Sequence, residues 1–241
     1  MSRRLKFRPF RVLRNIFFIV VPVIVLYLFL TSPLFEVKEI TISGNKTVKQ
    51  DEIYKAAAPF LGEFIWQVND EFIEEKLKQN ILLKEVNVNK KLPSTLSVEV
   101  KERYPLALVL DRELFLEVDN EGYVLNFYFK KDKDLPLIRG VTVKENISLG
   151  EKIQDTRLTV ALQIYQNLSP SLAKNVSKID VSSPNQIKIY TPEGIEIRLG
   201  KSEGIEDRLA LALELLPQIP REKKIEYLDF SSRPTVKYKE N

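Results

Sequence analysis

Apolar and polar positions divide the chain into one long apolar run followed by shorter alternating and helical patterns. The run from Ile16 to Phe35 is an uncharged stretch of 20 residues. As a helix it would reach about 30 Å, which is the thickness of a bilayer's hydrocarbon core. Pro22 removes one backbone donor early in the run, a defect that membrane helices tolerate. The pattern predicts a transmembrane helix over residues 15–35.

Basic residues precede this predicted span, and no acidic residue lies before or within it. Because positive charge stays on the cytoplasmic side of a bilayer, residues 1–14 are expected to form a cytoplasmic tail. A cleaved signal peptide is the alternative, but it needs a shorter apolar core and an A-x-A-like site, which Thr31-Ser32-Pro33 does not match. The basic residues that set this orientation are Arg3, Arg4, Lys6, Arg8, Arg11 and Arg14.

The segment after the span begins with a pattern of period two. Residues 37–42 alternate between apolar and polar and end at the turn pair Gly44-Asn45, which predicts a half-buried strand. Thr47 and Gln50 have the spacing of a capping box, so a short helix is expected there. Pro59 is expected to stop that helix.

A second helix and a hairpin complete this region. Asn69 is a good N-cap for a helix that continues through Leu77. Residues 86–89 and 96–100 alternate in polarity and are joined by a short polar segment, which predicts two strands in a hairpin. The order strand, helix, helix, strand, strand predicts an α+β domain over residues 36–105, with its helices on one face of a small sheet.

Residues 106–241 are expected to form a mainly β domain with two helices and a short C-terminal tail. Patterns of period two recur along it, separated by turn chemistry such as that of residues 119–122. One helix is expected after Asp155, with Pro170 at its end, and the other through Ile205 to Leu216. The predicted strands are 106–110, 114–118, 123–129, 176–181, 186–191, 195–199, 225–230 and 235–238.

Charge and residue content narrow the classes of function. The formal charge of +4 arises in the basic tail, since all 33 acidic residues lie beyond residue 35. The remainder carries a net charge of −2, so nucleic acid is not an expected partner. The chain has no histidine and no cysteine. The absence of histidine excludes Ser-His-Asp and Cys-His mechanisms and metal sites that use imidazole as a ligand.

Other candidate chemistry has a simpler explanation. The carboxylates of Glu71, Glu74 and Glu75 fit the solvated face of a helix better than a glycan-cleaving pair. Ser182 and Ser183 have no motif that would activate a nucleophile. Trp66 fits packing in the core or near the membrane better than a partner-binding role. We therefore expect a protein that is not an enzyme, with no cofactor and no small-molecule substrate.

Three segments carry a resemblance to a known family, and they flank and close the predicted α+β domain. Together they resemble the POTRA domain of the FtsQ/DivIB cell-division family, and a single POTRA copy directly after an inner-membrane anchor favours that family. The later β region, with its closing segment 227–238, is similar to the family's β domain. The three POTRA segments are Glu36-Val37-Lys38-Glu39-Ile40-Thr41-Ile42-Ser43-Gly44-Asn45, Leu92-Pro93-Ser94-Thr95-Leu96-Ser97-Val98-Glu99-Val100-Lys101-Glu102-Arg103 and Pro105-Leu106-Ala107.

The resemblance implies a scaffold of the bacterial division machinery, set in the inner membrane at the septum, that binds FtsB/DivIC-like and FtsL-like proteins. Carried over by position, the expected partner-binding residues are those of the last predicted strand. Val236 and Tyr238 would make its apolar and aromatic contacts. Ser231 stands where the family usually has arginine, so no role is carried over to it. The residues of the last strand are Thr235, Val236, Lys237 and Tyr238.

Two alternatives stay open at this point. A POTRA-containing envelope-assembly or translocation factor would use the same strand-addition physics on unfolded clients. A membrane-anchored cell-wall hydrolase is the second, and the missing catalytic constellation disfavours it.

Overall fold

The computed structural model describes residues 9–131, 133–218 and 225–238 of the chain, with side chains in the first helix from Arg14 onward. The chain forms two compact units, the first ending at Glu102 and the second beginning at Arg103.

Helix α1 spans Pro9–Leu30, and each of its side chains from Arg14 onward is exposed. It ends before the predicted Phe35 because Pro33 disfavours helical geometry at Ser32, whose ψ is 143°. Pro33–Phe35 forms a 3₁₀ turn instead, and Phe35 is buried in the first unit's core. Within the described part of the chain, no helix has both the length and the apolarity that crossing a membrane requires.

Only part of the predicted basic tail can be placed. Arg3, Arg4, Lys6 and Arg8 lie outside the described residues. Arg11 and Arg14 lie within α1, which begins at Pro9 and not at the predicted residue 15.

The rest of the first unit has the predicted order of strand, helix, helix, strand, strand. Its sheet has the order β1-β3-β2, with β1 parallel to β3 and β2 antiparallel to β3 in the predicted hairpin. A 3₁₀ turn, Ala58–Phe60, follows the first of its two helices. The elements are β1 (Glu39–Ser43), α2 (Gln50–Ala57), α3 (Asp70–Lys78), β2 (Leu83–Lys91) and β3 (Thr95–Glu102).

The two helices of this unit begin in different ways. The predicted N-cap at Asn69 is confirmed, since its Oδ1 accepts the backbone N–H of Phe72 at 3.1 Å. The predicted capping box at Thr47 is wrong, because α2 begins after Lys49 and receives no side-chain cap. The N–H of Thr47 donates instead to the carboxylate of Glu102 at 2.9 Å.

Glu102 is a buried carboxylate at the end of β3. Its oxygens also accept the N–H groups of Lys46 at 2.7 Å and Val48 at 2.9 Å. Burial opposes ionisation of Glu102, but the backbone donors outweigh it and lower the pKa of this carboxyl below its ordinary value. The carboxylate thus fastens the loop after β1 to the end of β3.

The core of the first unit lies between its helices and one face of its sheet. Burial of these apolar side chains is the main stabilising term for a unit of this size. The core includes Val37, Val48, Ile53, Ala57, Ile65, Val68, Ile73, Leu77, Val86, Leu96 and Val98.

The second unit is built on one nine-stranded sheet with the order β12-β11-β10-β9-β8-β7-β4-β5-β6. Neighbouring strands are antiparallel except for the pairs β4 with β7, β7 with β8 and β10 with β11, which are parallel. The strands are β4 (Ala107–Asp111), β5 (Leu114–Val118), β6 (Val124–Tyr128), β7 (Leu137–Arg139), β8 (Lys178–Asp180), β9 (Ile187–Tyr190), β10 (Glu196–Gly200), β11 (Ile225–Asp229) and β12 (Thr235–Tyr238).

Among the described residues, three α-helices connect these strands: α4 (Thr156–Gln166), α5 (Pro170–Ala173) and α6 (Ile205–Leu215), the last followed by a 3₁₀ turn, Leu216–Gln218. The prediction of two helices misses α5, a four-residue helix that begins at Pro170. Proline is favoured in the first turn of a helix, where its missing N–H would have no partner. The predicted cap of α4 is confirmed, because Asp155 Oδ1 accepts the N–H of Arg157 at 2.8 Å.

The predicted turn between β5 and β6 is also present and is held by a buried carboxylate. Asp119 Oδ1 accepts the N–H groups of Glu121 and Tyr123, each at 2.9 Å. Its Oδ2 accepts from Arg103 Nη1, whose guanidinium lies 3.9 Å from the centre of the Tyr123 ring. This cluster sets the direction in which β6 leaves the turn.

Candidate partner-binding edge of the large sheet

Strand β12 forms one edge of the nine-stranded sheet. It pairs with β11 in antiparallel register, with Val236 opposite Leu228 and Thr235 opposite Asp229. No strand among the described residues pairs with its outer side. Its outward backbone N–H and C=O groups are therefore placed to accept a further strand.

A row of apolar side chains crosses all nine strands and ends at this edge. Each member is paired in register with the next, so the row runs along one face of the sheet. The members from Leu116 to Leu228 are fully buried, whereas Val236 at the end is 40% exposed. We call this set the apolar row: Phe127, Leu116, Val109, Ile138, Ile179, Ile189, Ile197, Leu228 and Val236.

A groove of 320 Å³ lies beside Val236 on the same face of the sheet. It is mostly apolar because it is formed where α6 ends and the sheet's core is no longer covered. Val236 and Tyr238 both line it, as residues two apart in a strand share a face. The other lining residues include Leu215, Leu228, Phe230 and Pro234.

The opposite face of these strands is charged and aromatic. In register across β8 to β12 stand Lys178, Tyr190, Glu196, Tyr227 and Lys237. The ammonium of Lys178 lies 3.5 Å from the centre of the Tyr190 ring, and that of Lys237 lies 5.6 Å from the Tyr227 ring. Such cation–π contacts hold the side chains flat against the sheet.

Glu196 is the centre of this polar face. Its carboxylate accepts from Tyr190 Oη at 2.9 Å and from Arg198 Nε at 2.7 Å. Burial opposes its ionisation, but these donors outweigh burial and lower the pKa of Glu196. Burial and the bond to Glu196 raise the pKa of Tyr190 to about 12. The hydrogen bonds of Glu196 thus link β9 and β10 on this face of the sheet.

The four residues predicted to bind a partner therefore occupy one strand but two faces. Thr235, Val236 and Tyr238 line the groove. Lys237 lies on the polar side, where its Nζ is 3.2 Å from Glu226. Ser231 donates from its N–H and its Oγ to Asp229 Oδ1, which closes the turn after β11.

Residues that the sequence did not single out complete the site. Leu215, Leu228 and Phe230 line the groove, yet their shared position depends on register and on a helix contact. Among the described residues no group of carboxylates is arranged to hold a metal ion.

Two of the other chemical candidates make local hydrogen bonds, and Glu71 and Glu75 are exposed on α3. Glu74 pairs with Lys78 at 3.2 Å on the surface of α3, and its second oxygen accepts the N–H of Val88. Ser182 donates its N–H to Asp180 in the turn after β8.

Two domain models match this architecture and define the class of protein. Residues 35–103 match the POTRA domain of FtsQ type, and residues 107–231 match the C-terminal domain of cell division protein FtsQ/DivIB. A POTRA domain followed by this β domain is a combination that indicates a bacterial division protein. The chain belongs to the FtsQ/DivIB family of cell division proteins.

Similar proteins agree with this assignment. The chain is 29% identical to the cell division protein FtsQ of Myxococcus fulvus, over 85% of this chain and 73% of that one. It is 30% identical to a cell division protein DivIB of Clostridium botulinum, over 87% of each chain. These relatives are division proteins, which favours the division family over an envelope-assembly factor.

A solved structure is also similar in part. It is the major extracytoplasmic domain of DivIB from Geobacillus stearothermophilus, 17% identical, covering 50% of this chain and 99% of that one with a TM-score of 0.35.

Proposed function

We propose that this chain is a non-enzymatic, membrane-anchored scaffold of the bacterial division machinery. It holds FtsB/DivIC-like and FtsL-like proteins outside the cytoplasm, at the septum, and works by contact alone. The observation that carries the proposal is the edge of β12, where the apolar row ends in a half-exposed valine. Family membership supports the role in division.

Strand addition is the binding mode that this edge favours. A partner strand paired with β12 would satisfy the outward backbone groups and so gain affinity from main-chain hydrogen bonds. Its side chains would alternate between the two faces of the sheet. One set would continue the apolar row beyond Val236 and fill the groove, and the other would lie beside Lys237.

Selectivity would follow from this alternation. The groove side requires apolar partner residues, because a polar group there would be buried without a hydrogen-bond partner. The side of Lys237 accepts polar or acidic residues. A strand with the opposite alternation would bury charge in the groove, so a shift of one residue in register would be rejected.

Helix α1 is proposed to anchor the chain in the inner membrane, with the tail in the cytoplasm. Its side chains from Ile16 to Leu30 are apolar apart from the hydroxyl of Tyr27, and all are exposed, an arrangement that is stable in water only if something covers it. Lipid is the cover that fits, since the run continues as uncharged sequence to Phe35.

Capture of division partners tests the scaffold. The intact chain would be purified from membranes with its partners, beside Val236→Glu and the matched control Phe129→Glu, which places the same charge at an exposed apolar site near the other sheet edge. We expect Val236→Glu to lose at least about tenfold in capture and the control to lose none. Equal recovery with both variants would move the interface away from β12.

The absence of an enzymatic role is tested separately. Release of glycan fragments from isolated cell wall by the purified chain would defeat the scaffold. Such activity would also return the cell-wall hydrolase to consideration.

Topology is tested with single cysteines, which the cysteine-free chain permits without background labelling. Ser182→Cys, at an exposed turn, should react in intact cells with a maleimide that cannot cross the membrane. Ser2→Cys, in the tail, should react only after lysis. Labelling of Ser2→Cys in intact cells would contradict the proposed orientation.

A further inference from the structure

Four aromatic rings form a continuous line from the end of α1 into the first unit. Phe29 in α1 meets Phe35 edge-on, with ring centres 5.1 Å apart. Phe35 meets Trp66 at 5.1 Å, and Trp66 stacks on Phe64 at 5.5 Å with the rings nearly parallel. The loop that carries Trp66 is thus in side-chain contact with the segment that leaves the helix.

Backbone hydrogen bonds fix this loop in place. Ile65 N–H donates to Phe35 O, and Val37 N–H donates to Glu63 O, each at 2.9 Å. Gly62 N–H donates to Val37 O at 2.9 Å. These bonds hold the loop that carries Trp66 against residues 35–37, which follow α1.

The hairpin between β2 and β3 ends at the same side of the unit. β3 runs parallel to β1, with Thr95 opposite Glu39, so the hairpin tip lies beside the residues that follow the helix. Ser94 O accepts the N–H of Lys38 at 2.9 Å. The side chain of Leu92, at the tip, is 71% exposed.

Three large apolar side chains therefore project from one end of the unit: Leu34, Trp66 and Leu92. Trp66 is 41% exposed although its neighbours Phe35 and Ile65 are buried, so its ring contacts the unit and is still partly uncovered. Trp and Tyr are the residues that membrane proteins place at the level of the lipid headgroups, because their rings are apolar with one polar group.

Charge at this end is mixed. Glu36 lies in the segment after α1 and Glu63 lies in the loop that carries Trp66. Lys38 and Lys91 carry the opposite charge. Attraction to anionic lipid is therefore not the driving force. Apolar contact at the boundary between headgroups and acyl chains fits these residues better.

We propose that this patch, formed by Leu34, Trp66 and Leu92, inserts into the interface of the bilayer that α1 enters. The first unit then contacts the membrane surface with one defined face, and its orientation relative to the bilayer is fixed. The inference rests on the proposed anchoring by α1, and its occupant is the lipid interface itself.

Trp66 is the one tryptophan of the chain, so its fluorescence reports on this patch directly. The intact chain would be placed in phosphatidylcholine nanodiscs containing lipids brominated either near the headgroup or near the chain end. We expect quenching of roughly twofold by the shallow label, and less by the deep one. Adding anionic lipid should not change the result.

Two variants locate the effect within the unit. Trp66→Phe with Leu92→Trp moves the reporter to the hairpin tip and should be quenched similarly. Trp66→Phe with Gln79→Trp moves it to an exposed position after α3, near where β2 starts. That position lies at the far end of a ladder running from Leu83 to Lys91, roughly 25 Å long, and should not be quenched.

The outcomes separate this inference from the anchor on which it rests. A chain that stays in the nanodisc but shows no shallow quenching at either position 66 or 92 overturns the patch and leaves the anchor standing. Equal quenching at position 79 overturns it too, since the unit would then have no preferred face. A chain that does not stay in the nanodisc overturns both.

Discussion

The two edges of the nine-stranded sheet are the two ends of the same apolar row, and they are finished differently. At the β6 end, residues 150–153 lie along the strand: Val124 N–H donates to Glu151 O at 2.9 Å, and Gly150 N–H donates to Val124 O at 2.8 Å. Phe127 N–H is taken by Asn126 Oδ1 at 2.8 Å. At the β12 end, no described segment covers the strand.

The difference shows how a sheet can block strand addition at one edge and allow it at the other. Sheet edges invite unwanted pairing, and proteins commonly cover them or occupy their donors. Both devices are present at β6. Leaving β12 without them, beside an apolar groove, confines strand addition to one place.

The largest expected effect comes from shortening Ile153, the buried side chain that holds residues 150–153 beside β6. Ile153 is buried, and its N–H donates to Gly122 O at 2.9 Å. Ile153→Ala should lower the free energy of unfolding of the second unit by about 2–5 kcal/mol, through lost burial and a cavity. Leu149→Ala, at an exposed position just before this segment, should change it by less than about 0.5 kcal/mol.

Hydrogen exchange with chemical denaturation measures both variants. The amide of Val124 should exchange faster in Ile153→Ala, because its acceptor lies in the loosened cover. Unchanged exchange at Val124 would mean that residues 150–153 do not protect this edge.

The next effect concerns the groove beside β12. Tyr238→Ala should weaken partner capture by about tenfold, equal to about 1.4 kcal/mol, because an aromatic wall of the groove is lost. Lys237→Ala, on the other face of the same strand, removes a surface ion pair with Glu226 and a long contact with the Tyr227 ring, and should stay within about twofold. Titration of the purified chain with its partners compares them. If the two variants weaken capture equally, the partner does not use the groove.

A smaller effect is expected where a side chain occupies an edge donor. Asn126→Ala leaves Phe127 N–H to water and should cost about 0.5–1 kcal/mol of stability. The Phe127 amide should exchange faster, as followed by NMR. The exposed Asn185→Ala serves as the control. No change at Phe127 would contradict the proposed protection of its N–H.

The last effect appears only at alkaline pH. The pKa of Tyr190 is raised from 10 to about 12, so the neutral phenol stabilises the fold fully below pH 10 and this contribution is lost as pH rises towards 12. Tyr190→Phe should remove the phenol that ionises near pH 12 in an absorbance titration. Tyr128→Phe, near the β6 edge, should leave that step in place.

Much of the architecture could be predicted from local pattern. The bounds of β5 and β12 are as predicted, because alternation and turn residues define both ends. β7 was missed, since Leu137–Arg139 has three residues and no room for alternation. The prediction of a capping box was wrong for a different reason. The N–H of Thr47 donates a hydrogen bond to Glu102, which lies 55 residues away and is therefore outside any local pattern.

The candidate site was accessible from the sequence only in part. The last strand, and the position of Val236 and Tyr238 on the same face of it, follow from the alternation of side chains in a strand. The groove does not, because it depends on which strands are neighbours and on where α6 ends. Likewise, the sequence does not show that the Phe127 N–H lies at a sheet edge, because this depends on the order of the strands in the sheet.

The half-exposed end of the apolar row also predicts the sign of the heat-capacity change when a partner binds. Apolar surface that is wet before binding and dry afterwards gives a negative heat-capacity change, whatever the sign of the enthalpy. A partner strand laid along β12 would dry Val236 and the groove together. Calorimetry of capture at several temperatures should therefore show an enthalpy that becomes more negative on warming, with a slope that flattens when Val236 is replaced by glutamate.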